Sequence, residues 1–281
     1  MTLSPGRGHD DLTATLAEIN RAVPVSAALF DYAGRRSWAF DGDRWFHAAS
    51  TIKVAVLACL YATLRERGLE PQHRLDIRNQ FASVLDGSPY SVIASRDTDP
   101  RLHGSAHQTM SVSELAHRMI AISSNLATNV LLEFVGVDRI RRLLADAGIA
   151  GVDLVRGVED DRAFEAGISN RVTANGLVLL LRAILERRFG SEHDTQAMIA
   201  TLCAQTFTRG IPAGLPAPVR ASARVAHKTG EISTATHDAG IVFVEGRAPY
   251  VLAVLTGASG SAEERYAPIA RVSEVIFELS Q

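Results

Sequence analysis

The spacing of apolar residues predicts that the chain opens with a helix followed by two strands. In residues 11–22, Leu12, Leu16 and Ile19 recur at helical spacing. Residues 25–32 and 36–42 are short segments rich in residues that favour strands, and Ala33-Gly34 between them marks a turn. We therefore expect the order helix, strand, strand.

The middle of the chain has helical periodicity over most of its length. We expect a helix from Ser50 to about Arg67, and further helices over residues 111–123, 125–136, 137–148 and 173–189. Four of these segments stop at glycines typical of helix C-termini, namely Gly68, Gly136, Gly148 and Gly190. Residues 154–171 lack periodicity and are acidic in their first half, which predicts a functional loop.

The last third of the chain returns to strands, predicted over residues 224–230, 239–246 and 248–258, and a helix over 261–280 closes it. Because strands lie at both ends with helices between them, the predicted fold class is α/β of the α+β type. An antiparallel sheet built from both termini would be flanked by helices and joined to a central helical sub-domain. We expect residues 1–47 and 197–281 in the first sub-domain and 48–196 in the second, with a cleft favoured at their junction.

Composition narrows the range of partners and cofactors. The 281 residues are 47% hydrophobic, enough for one large core or two linked ones. A net charge of −2 provides no field for nucleic acid or an anionic membrane, so neither is an expected partner. Cys59 lies in an apolar run that indicates a packed thiol, and it forms no CxxC pair with Cys203. Without an HExxH motif or a cluster of His and Cys, no metal or other cofactor is predicted.

The N-terminal segment carries acidic residues where a secretory signal would be basic. No apolar run approaches the roughly 18 residues of a membrane span. The expected location of the chain as given is therefore the cytoplasm, or the periplasm or exterior if a signal segment has been removed. A monomer is the expected state.

Lysine is almost absent from the chain. Of 29 basic Lys and Arg residues, only Lys53 and Lys228 are lysine. A genome-wide preference for arginine explains the bias but not the two exceptions. Arginine cannot replace lysine where the group must lose a proton, and it fits poorly where a compact ammonium must reach a small pocket. The surroundings of these two positions are therefore candidate chemistry.

Ser50 and Lys53 suggest a nucleophile with an amine beside it. Three residues apart at the start of a helix, they lie on the same side of its first turn. The helix N-terminus favours an oxyanion, and the amine can take the serine proton if burial or neighbouring charge lowers its pKa. The alternative is a serine that caps the helix, with a lysine nearby by chance.

Two further motifs follow at intervals of roughly 70 and 100 residues. Ser123-Ser124-Asn125 offers a hydroxyl for proton transfer and an amide for a substrate carbonyl, although helix capping would also explain it. Lys228-Thr229-Gly230 ends a strand, where a cation, a hydroxyl and a missing side chain let an extended substrate place its carboxylate. An edge-strand lysine followed by a turn is the alternative there.

Together, the SxxK, SxN and KTG motifs in this order resemble those of the class A β-lactamases and related serine penicillin-recognising enzymes. The resemblance runs from about residue 20 to the C-terminus and includes FHAASTIKVAVL at 46–57 and SVSELAHRMIAISSNLATNVLL at 111–132. It implies a β-lactamase/transpeptidase-like fold and a serine hydrolase that works through an acyl-enzyme on a small-molecule substrate.

The resemblance also implies a role for each motif residue. Ser50 would be acylated, Lys53 would take part in its activation, and Ser123 would relay a proton to the departing nitrogen. The substrate would be bound through the remaining groups: its side-chain amide by Asn125, its carboxylate by Lys228 and Thr229 beside Gly230, and its oxyanion by the backbone N–H groups of Ser50 and Glu231. Asn129 matches a family asparagine and is interpreted as structural.

The chain departs from the family pattern in its acidic loop. Glu159 is the best counterpart of the family's deacylating glutamate, but Ala163 stands where an asparagine partner is expected, and the loop is about two residues short. Asp160, Asp161 and Glu165 are alternative bases. A solvated acidic loop without a catalytic role is the other interpretation.

Four further residues bear on the structure of the motifs or on binding. Ser124 replaces the aspartate usual in the second motif, which weakens its structural hydrogen bonding. Glu231 and Ile232 follow KTG where small residues are common, so a carboxylate there would repel acidic substrates. Arg209 could add a second positive group near the carboxylate pocket, or it could be an ordinary surface arginine.

Three functions are compatible with these residues. The first is a serine hydrolase of class A type that opens β-lactam amides, with Glu159 as the deacylating base. The second is a peptidase, esterase or acyltransferase of the same fold with slow β-lactam turnover, which the disturbed loop and the cytoplasmic address favour. The third is a non-catalytic β-lactam-binding or sensor domain, against which the complete acylation set argues.

Overall fold

The chain begins with a helix and two strands, is mostly helical in its middle and returns to strands before a final helix, as the apolar pattern predicts. The structure is a computed structural model that describes residues 7–105, 108–257 and 260–279. Its α-helices are α1 (Arg7–Ala22), α2 (Lys53–Glu66), α3 (Pro100–His103), α4 (Val112–Ala121), α5 (Asn125–Val135), α6 (Val137–Asp146), α7 (Asp161–Glu165), α8 (Ala174–Leu185), α9 (Glu192–Cys203), α10 (Ala217–Arg220) and α11 (Ala262–Leu279). Short 3₁₀ turns cover Ala49–Ile52 and Ile211–Gly214.

The strands fall into long and short groups. The long ones are β1 (Val25–Asp31), β2 (Arg36–Phe40), β10 (Arg224–Ile232), β11 (Ala235–Phe243) and β12 (Tyr250–Gly257). The short ones are β3 (Phe46–His47), β4 (Arg74–Asp76), β5 (Phe81–Ala82), β6 (Pro89–Tyr90), β7 (Thr109–Ser111), β8 (Val152–Asp153) and β9 (Arg171–Val172). Strand β4 pairs with β7, and β5 pairs with β6.

The long strands form one antiparallel sheet in the order β10-β11-β12-β1-β2, so strands from both termini lie side by side. Helices α1 and α11 pack together against it over a core that includes Leu16, Leu29, Val254 and Phe277. Strands β1, β11 and β12 are buried along nearly their whole length, whereas β2 is largely exposed. The predicted fold class, a mixed fold with an antiparallel sheet built from both termini, is confirmed.

The chain divides into two compact units, a sheet unit of residues 1–51, 172–182 and 207–281 and a helical unit of residues 52–171 and 183–206. These bounds differ from the predicted ones at residues 48–51, 172–182 and 197–206. The second difference has a visible cause. Asn175 donates its backbone N–H to the Gly42 carbonyl, and the Arg182 guanidinium lies over the Phe30 ring, so most of α8 belongs with the sheet.

The helical unit is built around α2, which is buried along most of its length and packs against α4, α5 and α6. Cys59 lies on this helix as the predicted packed thiol, and burial raises its pKa to about 12. An apolar sequence without a polar face is what a helix at the centre of a bundle requires.

Three expectations about element ends were wrong. The α-helix predicted from Ser50 begins at Lys53, because residues 49–52 form a 3₁₀ turn. Helix α8 ends at Leu185, and Arg187 rather than Gly190 has the left-handed conformation after it (φ 62°). Strand β11 begins at Ala235, four residues earlier than the apolar pattern indicates, because its first polar residues are buried and hydrogen-bonded within the sheet unit.

Candidate active site

Ser50 lies in the 3₁₀ turn that leads directly into α2, and its side chain is half-buried. Thr51 closes the turn by donating both its backbone N–H and its hydroxyl to the Ala48 carbonyl, at 3.2 and 2.6 Å. Ala49, just before the serine, has a left-handed backbone (φ 46°), which costs a residue with a side chain about 1–2 kcal/mol. The serine is therefore carried on a strained but hydrogen-bonded turn.

Two histidines form hydrogen bonds with the residues just before Ser50. The His47 Nδ1 accepts the Ala49 backbone N–H at 3.0 Å, and the His47 carbonyl accepts from Nε2 of His237 on β11 at 2.9 Å. Because Nδ1 of His237 accepts the Thr256 backbone N–H, its hydrogen must sit on Nε2. Burial lowers the pKa of His237 to about 4, so the ring is neutral at ordinary pH. Sequence analysis did not identify this pair as part of the site.

The KTG motif lies on β10, in the same unit as Ser50. Lys228 and Thr229 are buried, and the Lys228 amine donates to the Thr229 carbonyl at 2.9 Å. A Cβ on Gly230 would lie 3.0 Å from the backbone nitrogens of both Ser50 and Thr51. The missing side chain therefore lets the strand approach the serine turn, and the Ser50 N–H predicted for the oxyanion hole lies beside β10.

The two charged residues predicted around KTG have different surroundings. Glu231 is exposed and forms an ion pair with Arg265 at 3.4 Å, so its charge is partly balanced. Arg209 is exposed and precedes a segment fixed by Asp238, whose carboxylate accepts the Ile211 backbone N–H at 2.8 Å. Asp238 pairs in register with Thr229, so this segment meets β11 opposite the KTG threonine.

Lys53 is buried in the helical unit among the residues of the second motif. Its amine donates to the Ser123 carbonyl at 2.7 Å, to the Ser123 hydroxyl at 3.1 Å and to the Asn125 side-chain oxygen at 2.8 Å. Burial lowers the pKa of Lys53 to about 7, although the charges of Asp97 and Glu159 act in the opposite direction. An amine with such a pKa can act as a base near neutral pH.

The second motif forms the turn before α5. Ser123 has a left-handed backbone (φ 62°), and Ser124 caps the helix by accepting the Ala127 backbone N–H at 3.2 Å. The capping interpretation therefore holds for Ser124. Asn125, the first residue of the helix, accepts from Lys53 and donates to a carboxylate oxygen of Glu159 at 2.7 Å. The Asn125 amide thus links the lysine to the acidic loop.

Glu159 is the loop acid that reaches the other motif residues. Besides the bond from Asn125, its second oxygen accepts the Ile93 backbone N–H at 3.1 Å. Its own backbone is left-handed (φ 59°). Glu159 lacks the expected asparagine partner, because alanine occupies position 163. The Ile93 backbone N–H supplies a hydrogen-bond donor to it instead.

The alternative loop acids have other surroundings. Asp160 is buried, caps α7 at Ala163, and accepts from the Ser83 hydroxyl and the Val84 backbone N–H. Asp161 is exposed and pairs with Arg96 at 2.7 Å. Glu165 is exposed. Asp160 therefore fastens the loop, and only Glu159 lies against the motif residues of the helical unit.

Asparagines fasten the rest of this loop. Asn129 donates to the Val158 carbonyl at 2.9 Å and accepts the Val158 backbone N–H at 2.9 Å, so its predicted structural role is confirmed. Asn170 bonds the backbone of Val155 and Arg156. A side chain on Gly157 would collide with the Tyr90 hydroxyl, which explains the glycine there.

Asp97 is a buried residue that sequence analysis missed. Its carboxylate accepts from the backbone N–H groups of Asn125 and Leu126, both at 3.0 Å, and lies 3.0 Å from Nε2 of His103. Burial raises the pKa of Asp97, but these hydrogen bonds outweigh it, so the net shift is downward and the group is ionised. Only its place in an irregular polar segment, SRDTDP, hinted at such a role.

The structure thus gathers Lys53, Ser123, Asn125 and Glu159 within the helical unit. In the sheet unit it places Ser50 beside Gly230, with the remaining predicted binding residues on β10 or on the segment fixed to β11. Over residues 7–105, 108–257 and 260–279, no group of His, Cys, Asp and Glu side chains could hold a metal ion. Within the same ranges, no helix combines the length and apolarity of a membrane span.

Comparisons with known proteins point to one family. The sequence matches the Beta-lactamase enzyme family over residues 11–279, whereas no curated protein matches it. A β-lactamase from Sphaerobacter thermophilus superposes with a TM-score of 0.80 at 23% identity, with 96% of each chain covered. A mutant class A β-lactamase of the last common ancestor of Gram-negative bacteria reaches 0.81 at 27% identity, over 95% of this chain and 97% of that one.

A third solved structure is a point mutant of PBP-A, an acyl-enzyme complex with penicillin G. It superposes with a TM-score of 0.78 at 22% identity, with 98% of each chain covered. The fold is therefore shared by proteins named as β-lactamases and by PBP-A. Because the family match extends over nearly the whole chain, this protein belongs to the β-lactamase enzyme family, a family of serine hydrolases.

Proposed function

We propose that this protein opens β-lactam amides through an acyl-enzyme on Ser50 and then hydrolyses that intermediate. The observation that carries the proposal is the environment of Lys53, which follows Ser50 by three residues. A buried amine with its pKa lowered to about 7 has the proton affinity that a general base needs near neutral pH.

Acylation uses three groups in turn. The Lys53 amine takes the proton of the Ser50 hydroxyl while the serine oxygen attacks the lactam carbonyl carbon. The negative charge that develops on the carbonyl oxygen is stabilised by the backbone N–H groups of Ser50 and Glu231. When the carbon–nitrogen bond breaks, Ser123 passes a proton to the departing nitrogen. The bond between Ser123 and Lys53 supports this relay, since it lets the proton come from the lysine.

Binding uses the sheet unit and Asn125. Lys228, Thr229 and Arg209 would hold the substrate carboxylate by charge-assisted hydrogen bonds. The Asn125 amide would bind the substrate's side-chain amide. The Asn125 oxygen accepts from Lys53, and one of the two amide hydrogens is donated to Glu159. The second amide hydrogen would therefore be the one that binds the substrate.

Deacylation is assigned to Glu159, which would take a proton from the water that attacks the acyl carbon. Its bonds to Asn125 and to the Ile93 backbone N–H support a carboxyl group with a fixed orientation. The missing asparagine at Ala163 favours a second candidate, a peptidase, esterase or acyltransferase that forms the same acyl-enzyme but releases β-lactams slowly. PBP-A, which shares the fold, has been captured as a penicillin G acyl-enzyme in a mutant form.

The test is the fate of a β-lactam on Ser50. We expect the protein to hydrolyse a chromogenic cephalosporin with repeated turnover, and Ser50→Ala to lose turnover by at least about 10³-fold, because the nucleophile is gone. Intact-mass spectrometry after mixing with penicillin G follows the adduct. Return to the unmodified mass within seconds supports hydrolysis, whereas an adduct that persists for hours supports the second candidate.

The matched control is Ser123→Ala, which removes a hydroxyl 73 residues away from the nucleophile and leaves Ser50 in place. It should slow acylation but still allow an adduct. Parental hydrolysis by Ser50→Ala, or an adduct mapped to another residue, would reject the assignment. Stoichiometric labelling with no turnover of any amide or ester would identify a binding or sensor domain.

A further inference from the structure

The second motif lacks an acidic residue of its own, yet a carboxylate lies against it. Ser124 occupies the middle of the motif, and its hydroxyl lies 3.3 Å from Oδ2 of Asp97. The same carboxylate accepts the backbone N–H groups of Asn125 and Leu126, which are the first two residues of α5. The charge that stabilises this turn therefore comes from another part of the chain.

Asp97 is well placed to fix the turn rigidly. Its side chain is 0% exposed, and its two oxygens also accept the Asp99 backbone N–H and contact His103. A buried carboxylate with this many donors is held in one position, and a negative charge at a helix N-terminus is favoured by the helix dipole. A movement of Asp97 would therefore move Asn125 with it.

The segment 93–99 reaches the acidic loop as well. The Ile93 backbone N–H binds Glu159, and Arg96 pairs with Asp161 at the start of α7. One irregular segment thus connects the start of α5 to the loop that carries Glu159. The charges of both carboxylates, Asp97 and Glu159, act on the Lys53 amine, which itself donates to the Ser123 carbonyl and the Asn125 side-chain oxygen.

We propose that Asp97 is a positioning residue of this site: its carboxylate holds the Ser123–Asn125 turn and thereby sets where the Asn125 amide and the Lys53 amine lie. This rests on the proposed function for its catalytic consequence, but not for its structural one. The charges that act on the Lys53 amine are those of Asp97 and Glu159. His103 contacts the Asp97 carboxylate. Arg118 is paired with Asp99, and Arg96 is paired with Asp161.

The decisive variant is Asp97→Asn, and Asp99→Asn is its matched control. Asp99 lies in the same segment and is also buried, but its carboxylate pairs with Arg118 on α4, whereas the backbone N–H groups at the start of α5 donate to Asp97. We expect Asp97→Asn to slow acylation by a chromogenic cephalosporin about 10- to 100-fold, because misplacement by a fraction of an ångström is costly in catalysis. Asp99→Asn should acylate within about twofold of the parent, a change too small to indicate misplacement.

A second measurement does not depend on activity. Because the chain has only two lysines, protein labelled with ¹³C at the lysine ε-carbon gives two signals, and Lys53→Arg identifies the one from Lys53. In the parent this signal should titrate near pH 7. Asp97→Asn should move the midpoint to lower pH by about one unit, because a carboxylate that favours the ammonium is lost. Asp99→Asn and His103→Gln should leave it unmoved.

A further variant guards against loss of folding. Asp97→Glu keeps the charge but lengthens the side chain in a buried site, so acylation should fall while the Lys53 midpoint stays near that of the parent. Parental acylation in Asp97→Asn or in Asp97→Glu, or equal effects of Asp97→Asn and Asp99→Asn, would overturn the proposal. If the parent forms no adduct on Ser50, the proposed function fails, and the lysine titration still decides the role of Asp97.

Discussion

Ser50 and Lys53 are three residues apart in the chain, but the groups that hold them differ in kind. The turn before Ser50 is fixed by neutral groups: backbone amides, a carbonyl and the imidazoles of His47 and His237. The surroundings of Lys53 contain two carboxylates, Asp97 and Glu159. Hydrogen bonds between neutral groups keep their strength across a wide pH range. The charge of an amine near carboxylates changes as the amine titrates, and its interactions change with it. If Ser50 is acylated as proposed, we therefore expect the pH dependence of acylation to arise around Lys53 and not around the turn that carries Ser50.

Among the substitutions that test this contrast, the largest effect should come from Lys53→Arg. A guanidinium remains charged at every accessible pH and cannot take the serine proton, so acylation should fall by about 10²- to 10⁴-fold. In the parent, the acylation rate should rise as pH increases through about 7 and then level off, because the amine must be deprotonated to act. Rapid-mixing measurements with a chromogenic cephalosporin from pH 5.5 to pH 9 follow both effects.

The corresponding control is Arg65→Lys, an exposed basic residue near the other end of α2. It should leave both the acylation rate and the pH midpoint unchanged. The assignment of Lys53 as the base would not survive near-parental acylation in Lys53→Arg, nor a rate that stays flat through pH 7.

An intermediate effect is expected from Glu159→Gln. The amide can still accept from Asn125 but cannot take a proton from water, so the acyl-enzyme should persist about 10²- to 10³-fold longer while acylation changes little. Intact-mass spectrometry at timed intervals measures the adduct. Asp161→Asn, an exposed loop acid paired with Arg96, is the control and should deacylate normally. Equal adduct lifetimes in the parent and Glu159→Gln would remove Glu159 from the mechanism and favour the slow-turnover candidate.

The smallest effect on activity should come from His237→Gln. A glutamine amide can donate to the His47 carbonyl and accept from Thr256, so acylation at pH 7.5 should stay within about threefold of the parent, as expected of a conservative replacement. Stability should change instead. The pKa of His237 is about 4 in the folded chain and about 6.5 in the unfolded chain, so the unfolded chain binds an extra proton between these values.

The parent should therefore lose stability as pH falls from about 6.5 to about 4, on the order of 3 kcal/mol in total, and His237→Gln should lack this part of the loss. Urea unfolding at pH 7.5, 5.5 and 4.5 measures it. His117→Gln, at an exposed histidine, should keep the parental pH dependence. If His237→Gln shifted the pH midpoint of acylation, the contrast between the neutral and charged surroundings would be wrong.

Most of the fold could be predicted because its elements have apolar runs of clear period. The continuous apolar segments of β1 and β12 and the glycines after α2, α5 and α6 gave correct elements and ends. The first four residues of β11 were missed because Thr236, His237 and Asp238 are polar but buried. Their hydrogen-bond partners lie far away in sequence, at His47, Ile211 and Thr256, so no local pattern reveals them.

The candidate site shows the same limit. Its motif residues could be recognised because SxxK, SxN and KTG occur in the order and at the spacing typical of the family that the sequence resembles. Asp97 could not, because it lies in a segment without periodicity and acts on α5 only through the folded chain. The choice among the four loop acids also needed contacts: Asp160 and Glu159 are adjacent in sequence, but one accepts from Ser83 and the other from Asn125.

The acidic loop is fastened by residues other than its candidate base. Asp160, Asn129 and Asn170 bind its backbone or cap its short helix, while Glu159 contributes only its contacts to Asn125 and Ile93. We therefore expect a substitution at position 159 to leave the loop in place, so that any change in the lifetime of the proposed acyl-enzyme would come from the lost carboxylate. If Glu159 is the deacylating base as proposed, a single codon would separate a form of this protein that retains its acyl group from one that releases it.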